Sequence, residues 1–224
     1  MKKGIMLSFL FWTLLALIIF VPTVLWASNI IDFNTRAAES FERLASIIPS
    51  KELNDGDIQS MPFYLDKKSI LVGFSSHSSK FEKHNYYPKN PNPDQIAYRF
   101  TRPNLESCPI EKACICLCKD SYQGLQDPLP ETTECNDAKC RAFDNIDFLS
   151  EKIADKYEDG SPKSVIKGGF LFFSKSDSTL PGESIGTGTT LYVQRYKNFI
   201  DVCTASPCIN EESKAAINAA ADTD

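Results

Sequence analysis

Cys108, Cys114, Cys116, Cys118, Cys135, Cys140, Cys203 and Cys208 are the residues of this 224-residue chain whose type and spacing most directly imply chemistry. Thiolates could hold a metal, or the sulfurs could be oxidised to disulfides. Zinc sites use paired C-x2-C knuckles and iron–sulfur sites have spacings of their own, and neither pattern occurs here. The even count fits an oxidising compartment. Disulfides are predicted, with no metal and no cofactor. Cys114, Cys116 and Cys118 alternate with Ile115 and Leu117. On a strand the three sulfurs therefore share one face and the two aliphatics point to the core. Cysteines two apart on a strand point in parallel and do not close on each other, so each of the three needs a partner elsewhere. Cys203 and Cys208, separated by Thr-Ala-Ser-Pro, close a local loop. Cys108, Cys135 and Cys140 then remain for the strand trio, in an order that spacing leaves open. The expected result is a stapled loop cap over one sheet edge.

Other polar groups imply less. The two histidines, His77 and His84, follow Ser75 and Ser76, a set that could serve a Ser-His hydrolase or a zinc pair. The G-x-S-x-G elbow and the H-E-x-x-H helix are both missing, so polar residues at a strand exit are the simpler reading. Gly182, Gly186 and Gly188 lie in a Ser/Thr-rich stretch with no Lys-Ser/Thr after them, which suits a hairpin tip better than a phosphate cradle. Asp144, Asp147, Glu151 and Asp155 lack EF-hand spacing and read as a solvated helix face. No reaction is named by these residues. The chain carries 24 Lys and Arg against 29 Asp and Glu. An acidic balance without a basic cluster argues against nucleic-acid binding.

The elements that would position these groups begin with an apolar run from Gly4 to Trp26, preceded by Lys2 and Lys3. About twenty apolar residues span a bilayer as a helix, and the lysines hold the N-terminus in the cytoplasm. All eight cysteines then lie on the exported side, where no N-x-Ser/Thr sequon occurs. Ile30, Phe33, Ala37, Phe41, Leu44 and Ile48 form a stripe at helical spacing that ends at Pro49. A continuous helix from Ile5 to Ile48 would be about 65 Å long at about 1.5 Å per residue.

Downstream the pattern becomes extended. Residues 50–62 read as a polar connector. Strands are predicted at Ser69–Phe74, Ile96–Thr101, Ala113–Cys118, Cys140–Leu149, Val165–Ser174 and Thr189–Val202, with Gly169–Phe173 and Leu191–Val193 pairing as a hairpin. Asn85–Asp94, with three prolines, and Lys175–Gly188 read as loops. Phe148–Tyr157 reads as a short helix, and the chain from Ile209 onward as a frayed tail.

Lys2-Lys3-Gly4-Ile5, a basic pair and a glycine directly ahead of the apolar run, resembles the class III signal of archaeal and bacterial type IV pilin-like proteins. The resemblance covers some fifty residues. It implies cleavage after Gly4, a mature chain beginning at Ile5, and assembly through the apolar helix. Phe9 stands where the bacterial pattern has a glutamate. An uncleaved signal anchor accounts for the same run by length alone.

The fold expected is α+β: an N-terminal transmembrane helix and an amphipathic helix, then a mainly antiparallel β domain stapled by disulfides. The divisions are 1–27 for the anchor, 28–49 for the amphipathic helix, 50–208 for the β domain and 209–224 for the tail. The function expected is that of a non-enzymatic, single-pass surface or interaction protein of the cell membrane, with its C-terminal domain extracytoplasmic. Its partners would be the bilayer and envelope proteins or its own copies. The alternative is an anchored hydrolase or solute-binding receptor.

Overall fold

A strand that is apolar at nearly every position must be covered on both faces, and three runs are of this kind: Ile70–Phe74, Ala113–Lys119 and Gly169–Ser174. The computed structural model describes residues 12–16, 18, 20–21, 36–66, 69–86, 94–119, 135, 137–156, 162–174, 183–185, 188–209 and 211–221. These are mostly antiparallel β sheet, with few helices and several disulfides. Helical residues 36–47 form α1. The strands follow as β1 (Ile58–Phe63), β2 (Ile70–Phe74), β3 (Lys80–Tyr86), β4 (Asp94–Thr101), β5 (Ala113–Lys119), β6 (Asp137–Phe143) and β7 (Asp147–Phe148). Then come β8 (Glu151–Lys156), β9 (Pro162–Lys167), β10 (Gly169–Ser174), β11 (Glu183–Ile185), β12 (Thr189–Tyr196) and β13 (Phe199–Cys203), with α2 (Glu211–Ala221) last.

The three apolar runs are the middle strands of a central sheet B, ordered β11-β10-β2-β5-β6. Sheet A is β1-β12-β13-β7 and sheet C is β4-β3-β9-β8. Alternation along the central strands divides their side chains between two cores. Leu71, Ile115, Leu117, Phe170 and Phe172 meet sheet A and α1, whose Ala37, Phe41 and Leu44 are buried there together with Ile48 of the turn that follows. Ile70, Val72, Phe74, Leu171 and Phe173 meet Phe81, Phe100 and Ile166 of sheet C. The described part of the predicted helical stripe thus docks onto the β domain. Lys139 of β6 clamps its outer side, 2.7 Å from Glu42 and over the Phe41 ring.

Several expectations are corrected. Residues 58–62 are not connector but part of edge strand β1, where Pro62 is tolerated. The run 165–174 is two strands in different sheets. It breaks at Gly168 and Gly169, whose φ values of 85° and 128° suit glycine and let the chain turn from sheet C to sheet B. The run 189–202 is the β12–β13 hairpin, closed at Lys197–Asn198, and Leu191–Val193 pairs with β1 and β13 rather than with β10. Glu183–Ile185, inside the predicted loop 175–188, pairs in parallel with β10 and buries Ile185. Phe148–Tyr157 is not a helix: Asp147–Phe148 pairs with β13, and Glu151–Lys156 pairs with β9. Local helical spacing lost there to two sheet edges needing partners. The chain from Ile209 does find an apolar partner. Ile209 and, in α2, Ile217 are buried against Leu149, beside Tyr196 and Phe199, and residues 211–221 are helix rather than a frayed tail.

Gly4, Ile5 and most of residues 1–27 lie outside the described residues, as do Ile30, Phe33, Gly182 and Gly186. Residues 12–16, 18, 20 and 21 are helical, and Trp12, Leu14, Ile18 and Phe20 are exposed. Among the described residues no helix is long and apolar enough to cross a membrane.

Candidate functional site

The cysteines form four disulfides: Cys108–Cys114, Cys116–Cys140, Cys118–Cys135 and Cys203–Cys208. Cys116 and Cys140 are directly opposed in the β5–β6 ladder, with Cα atoms 4.1 Å apart, close to the spacing of a non-hydrogen-bonded antiparallel pair. The sulfurs of Cys108, Cys116 and Cys140 lie within 4.8 Å of one another, near enough for a thiolate cluster. Every cysteine is oxidised, however, so no thiolate remains to ligate or attack. The Cys116–Cys140 bridge ties β5 to β6, the strand at one edge of sheet B, and residues 120–134, which would form the expected loop cap, lie outside the described residues. Cys108, Cys114, Cys116 and Cys118 fill the core between sheets B and C with Phe81 and Phe100. The cystine face of β5 is thus covered by a second sheet, which its alternating sequence does not reveal.

The chain passes between sheets B and C at one corner, and Arg102 organises that corner. Ser75 N donates to Gly168 O at 3.0 Å, and Gly168 N to Ser150 O at 2.7 Å. The buried Arg102 guanidinium donates to five carbonyls: Cys108, Ser75 and Ser78 at 3.2, 3.1 and 3.0 Å, then Pro109 at 2.5 Å and Lys112. It also lies over the Phe74 ring at 5.6 Å. Burial lowers its pKa from the ordinary arginine value, and Glu111 and Asp147 act against this. Asp147 accepts from Ser76 N at 2.7 Å and from Ser76 Oγ, while Ser75 Oγ and Ser78 Oγ share a hydrogen bond of 2.8 Å. Clefts of about 580 and 490 Å³ flank the 102–111 loop, which exposes Leu105 and Ile110. Because its five donors are all used, Arg102 braces this loop and has none left for an anion in either cleft.

On β3, Glu82 and His84 share a face two residues apart, both buried. Glu82 receives Arg99 Nε at 2.5 Å, Lys80 Nζ at 3.0 Å and His84 Nε2 at 3.1 Å. Burial pushes its pKa up, but hydrogen bonds from Arg99, Lys80 and His84 outweigh this and hold it at about 2. Such a carboxylate is a weak general base. His77, by contrast, is exposed in the 75–79 turn at φ 59°, its N–H donating to Ile110 O at 2.7 Å. The two histidines thus have separate roles, one in a charge cluster and one in a turn.

The acidic set is likewise dispersed. Asp144 pairs with Lys112 at 2.8 Å, Asp147 caps the Ser76 turn, and Glu151 and Asp155 belong to β8. Gly188 has φ 81° beside the Tyr64 ring. Four residues that the sequence reading does not single out take part in these clusters: Arg102, Glu82, and Lys152 and Asp201, which link β8 to β13. An arginine closing an apolar strand just before a proline is the only hint of the first.

No family model, no curated protein and no solved structure matches this chain.

Proposed function

We propose that the chain is a single-pass, N-terminally anchored surface protein of the cell membrane, non-enzymatic and pilin-like in layout. Residues 1–27 form the anchor, 28–49 the amphipathic helix and 50–208 the extracytoplasmic β domain, which binds envelope proteins or its own copies. The observation that carries this reading is the division of the N-terminal helical residues. α1 sinks Ala37, Phe41 and Leu44 into the β core, with Ile48 of the turn that follows, while apolar Trp12, Leu14, Ile18 and Phe20, also helical, are exposed. An exposed apolar helix surface calls for lipid or another helix. The four disulfides support an oxidising, extracytoplasmic location.

N-terminal sequencing and intact-mass measurement of the membrane-extracted protein test this. A mature start at Ile5 supports the pilin-like form, and a start at Met1 supports an uncleaved anchor. Recovery in the soluble fraction with a start near Ser28 overturns both.

A further inference from the structure

The 102–111 loop holds aliphatic side chains out to solvent on a braced frame. Leu105 and Ile110 are 39% and 40% exposed. Arg102 holds the carbonyls of Cys108, Pro109 and Lys112, the Cys108–Cys114 disulfide ties the loop to β5, and the His77 N–H donates to Ile110 O at 2.7 Å. Within the loop Cys108 N donates to Leu105 O at 2.9 Å, and Lys112 N to Pro109 O at 3.2 Å. A loop fixed in this way gives up little conformational entropy when a partner lands on it. With the clefts of about 580 and 490 Å³ on its two sides, it forms a preorganised contact surface.

The free charge on this surface is acidic. Glu106 and Glu111 line the smaller cleft, both exposed, and their side chains make no hydrogen bond or ion pair among the described residues. The cations around them are engaged elsewhere. Arg102 spends its donors on carbonyls, Lys112 sits 2.8 Å from Asp144, and Lys80, opposite Thr101 in the β3–β4 ladder, sits 3.0 Å from Glu82. Glu111 acts electrostatically on Arg102 and Lys112 without taking either from its partners. The larger cleft adds a second feature. Thr101 ends β4 and Asp137 opens β6, and both residues line it. Among the described residues β4 is an edge of sheet C and β6 an edge of sheet B, so the cleft opens between two sheet edges. Main-chain groups at such edges accept an extended segment.

We propose that the 102–111 loop and its clefts dock an extended segment of another envelope protein, one that carries Lys or Arg beside aliphatic residues. This names the contact surface for the partner binding proposed above and rests on that reading. The segment's aliphatics seat against Leu105 and Ile110, and its cations reach Glu106 and Glu111. Apolar burial supplies the affinity, while complementary charge sets the register and excludes acidic segments.

The test uses full-length protein in non-ionic detergent and a fluorescein-labelled peptide of alternating Lys and Val, read by fluorescence anisotropy against micelles alone. Binding should saturate and should weaken as NaCl is raised. Glu106→Lys with Glu111→Lys should weaken it about tenfold, and Leu105→Ser with Ile110→Ser by a similar factor, the scale of a lost interface anchor. The Glu106→Lys, Glu111→Lys protein should in turn bind a peptide of alternating Glu and Val, which a folding defect could not produce. A peptide of alternating Lys and Ser should bind the parent about tenfold more weakly than the Lys–Val peptide. The proposal is overturned by the absence of saturable binding, by equal binding of the Lys–Ser peptide, or by an affinity unchanged in either variant. Self-association without added peptide, lost in the same variants, would assign the loop to a second copy and also overturn it. Failure of the anchoring reading shows separately, as recovery of the protein without membrane.

Discussion

Lys152 Nζ lies 3.1 Å from both carboxylate oxygens of Asp201, a buried ion pair that ties β8 of sheet C to β13 of sheet A. The Asp201 carboxyl is 2% exposed and also accepts Val202 N at 2.9 Å. Burial raises its pKa, and Lys152 and the Val202 N–H act against this. Lys152→Met leaves that carboxyl without its cation and should cost about 3–5 kcal/mol in urea unfolding at neutral pH. A carboxyl whose folded pKa is raised contributes stability below its unfolded pKa and loses it as pH rises through the folded value. The deficit of Lys152→Met should therefore shrink on acidification toward pH 4. A deficit independent of pH would show that Asp201 is not the group left exposed to the loss.

Glu82 has the opposite sign. With its pKa held at about 2, it contributes stability above its unfolded value of 4.5 that is lost as pH falls from there toward 2. Half-exposed Lys80 is screened by solvent, so the contribution is about 2 kcal/mol. Glu82→Gln should lower stability by that amount at pH 7 and flatten the acid limb. Equal acid sensitivity in variant and parent would place the titrating carboxylate elsewhere.

Arg102→Met should strand five carbonyls and cost about 3–5 kcal/mol, a fall in Tm of roughly 10 °C for a domain of this size. Arg102→Lys should recover little, because an ammonium has three donors and no planar fork. A lysine variant melting within a degree or two of the parent would show that the corner does not depend on the guanidinium.

What could be read beforehand follows from where the determinants lie. The stripe Ala37–Phe41–Leu44–Ile48 and the alternation through Cys114–Cys118 are local periodicities, and α1 and β5 follow them directly. The partition of all eight cysteines follows from strand geometry and elimination. The remaining features depend on distant chain. Phe148–Tyr157 looks helical by itself, but Asp147–Phe148 and Glu151–Lys156 become strands because β13 and β9 each need an edge partner. Arg102, Glu82 and Asp201 acquire significance only where loops or sheets from remote segments enclose them, and a charged residue's own sequence neighbours do not report that enclosure.

At Gly169 the chain enters sheet B with φ 128°, and a Cβ added there would meet the Gly73 carbonyl oxygen. Gly169→Ala combines left-side backbone strain with a backbone clash and should cost about 3 kcal/mol or more. Gly56→Ala, at φ 87° with nothing near its Cβ, carries the strain alone and should cost only about 1 kcal/mol. Similar losses at the two positions, measured by thermal unfolding, would contradict the close approach of β10 to β2.

The C-terminal helix α2 should detach from the β domain before the domain itself unfolds. Among the described residues, Ile217 of α2 and Ile209 just before it are the ones buried against Leu149, reinforced by Ile209 N to Gln194 Oε1 at 2.8 Å and Tyr196 Oη to Asn218 at 3.1 Å. Cys203–Cys208 sets where the segment starts, but it closes a loop of sequence separation 5, against 24 for Cys116–Cys140. In the chain-entropy account those loops are worth about 2 and 3.5 kcal/mol. Replacing Cys203 and Cys208 by alanine should therefore cost less global stability than replacing Cys116 and Cys140. Hydrogen exchange should rise across residues 209–221 while β2, β5 and β10 keep their protection. Ile217→Asp should reproduce the same local loss with the disulfide intact. If α2 amides remain protected in both variants, the helix is held by contacts other than these, and if β5 loses protection together with α2, the two belong to one cooperative unit.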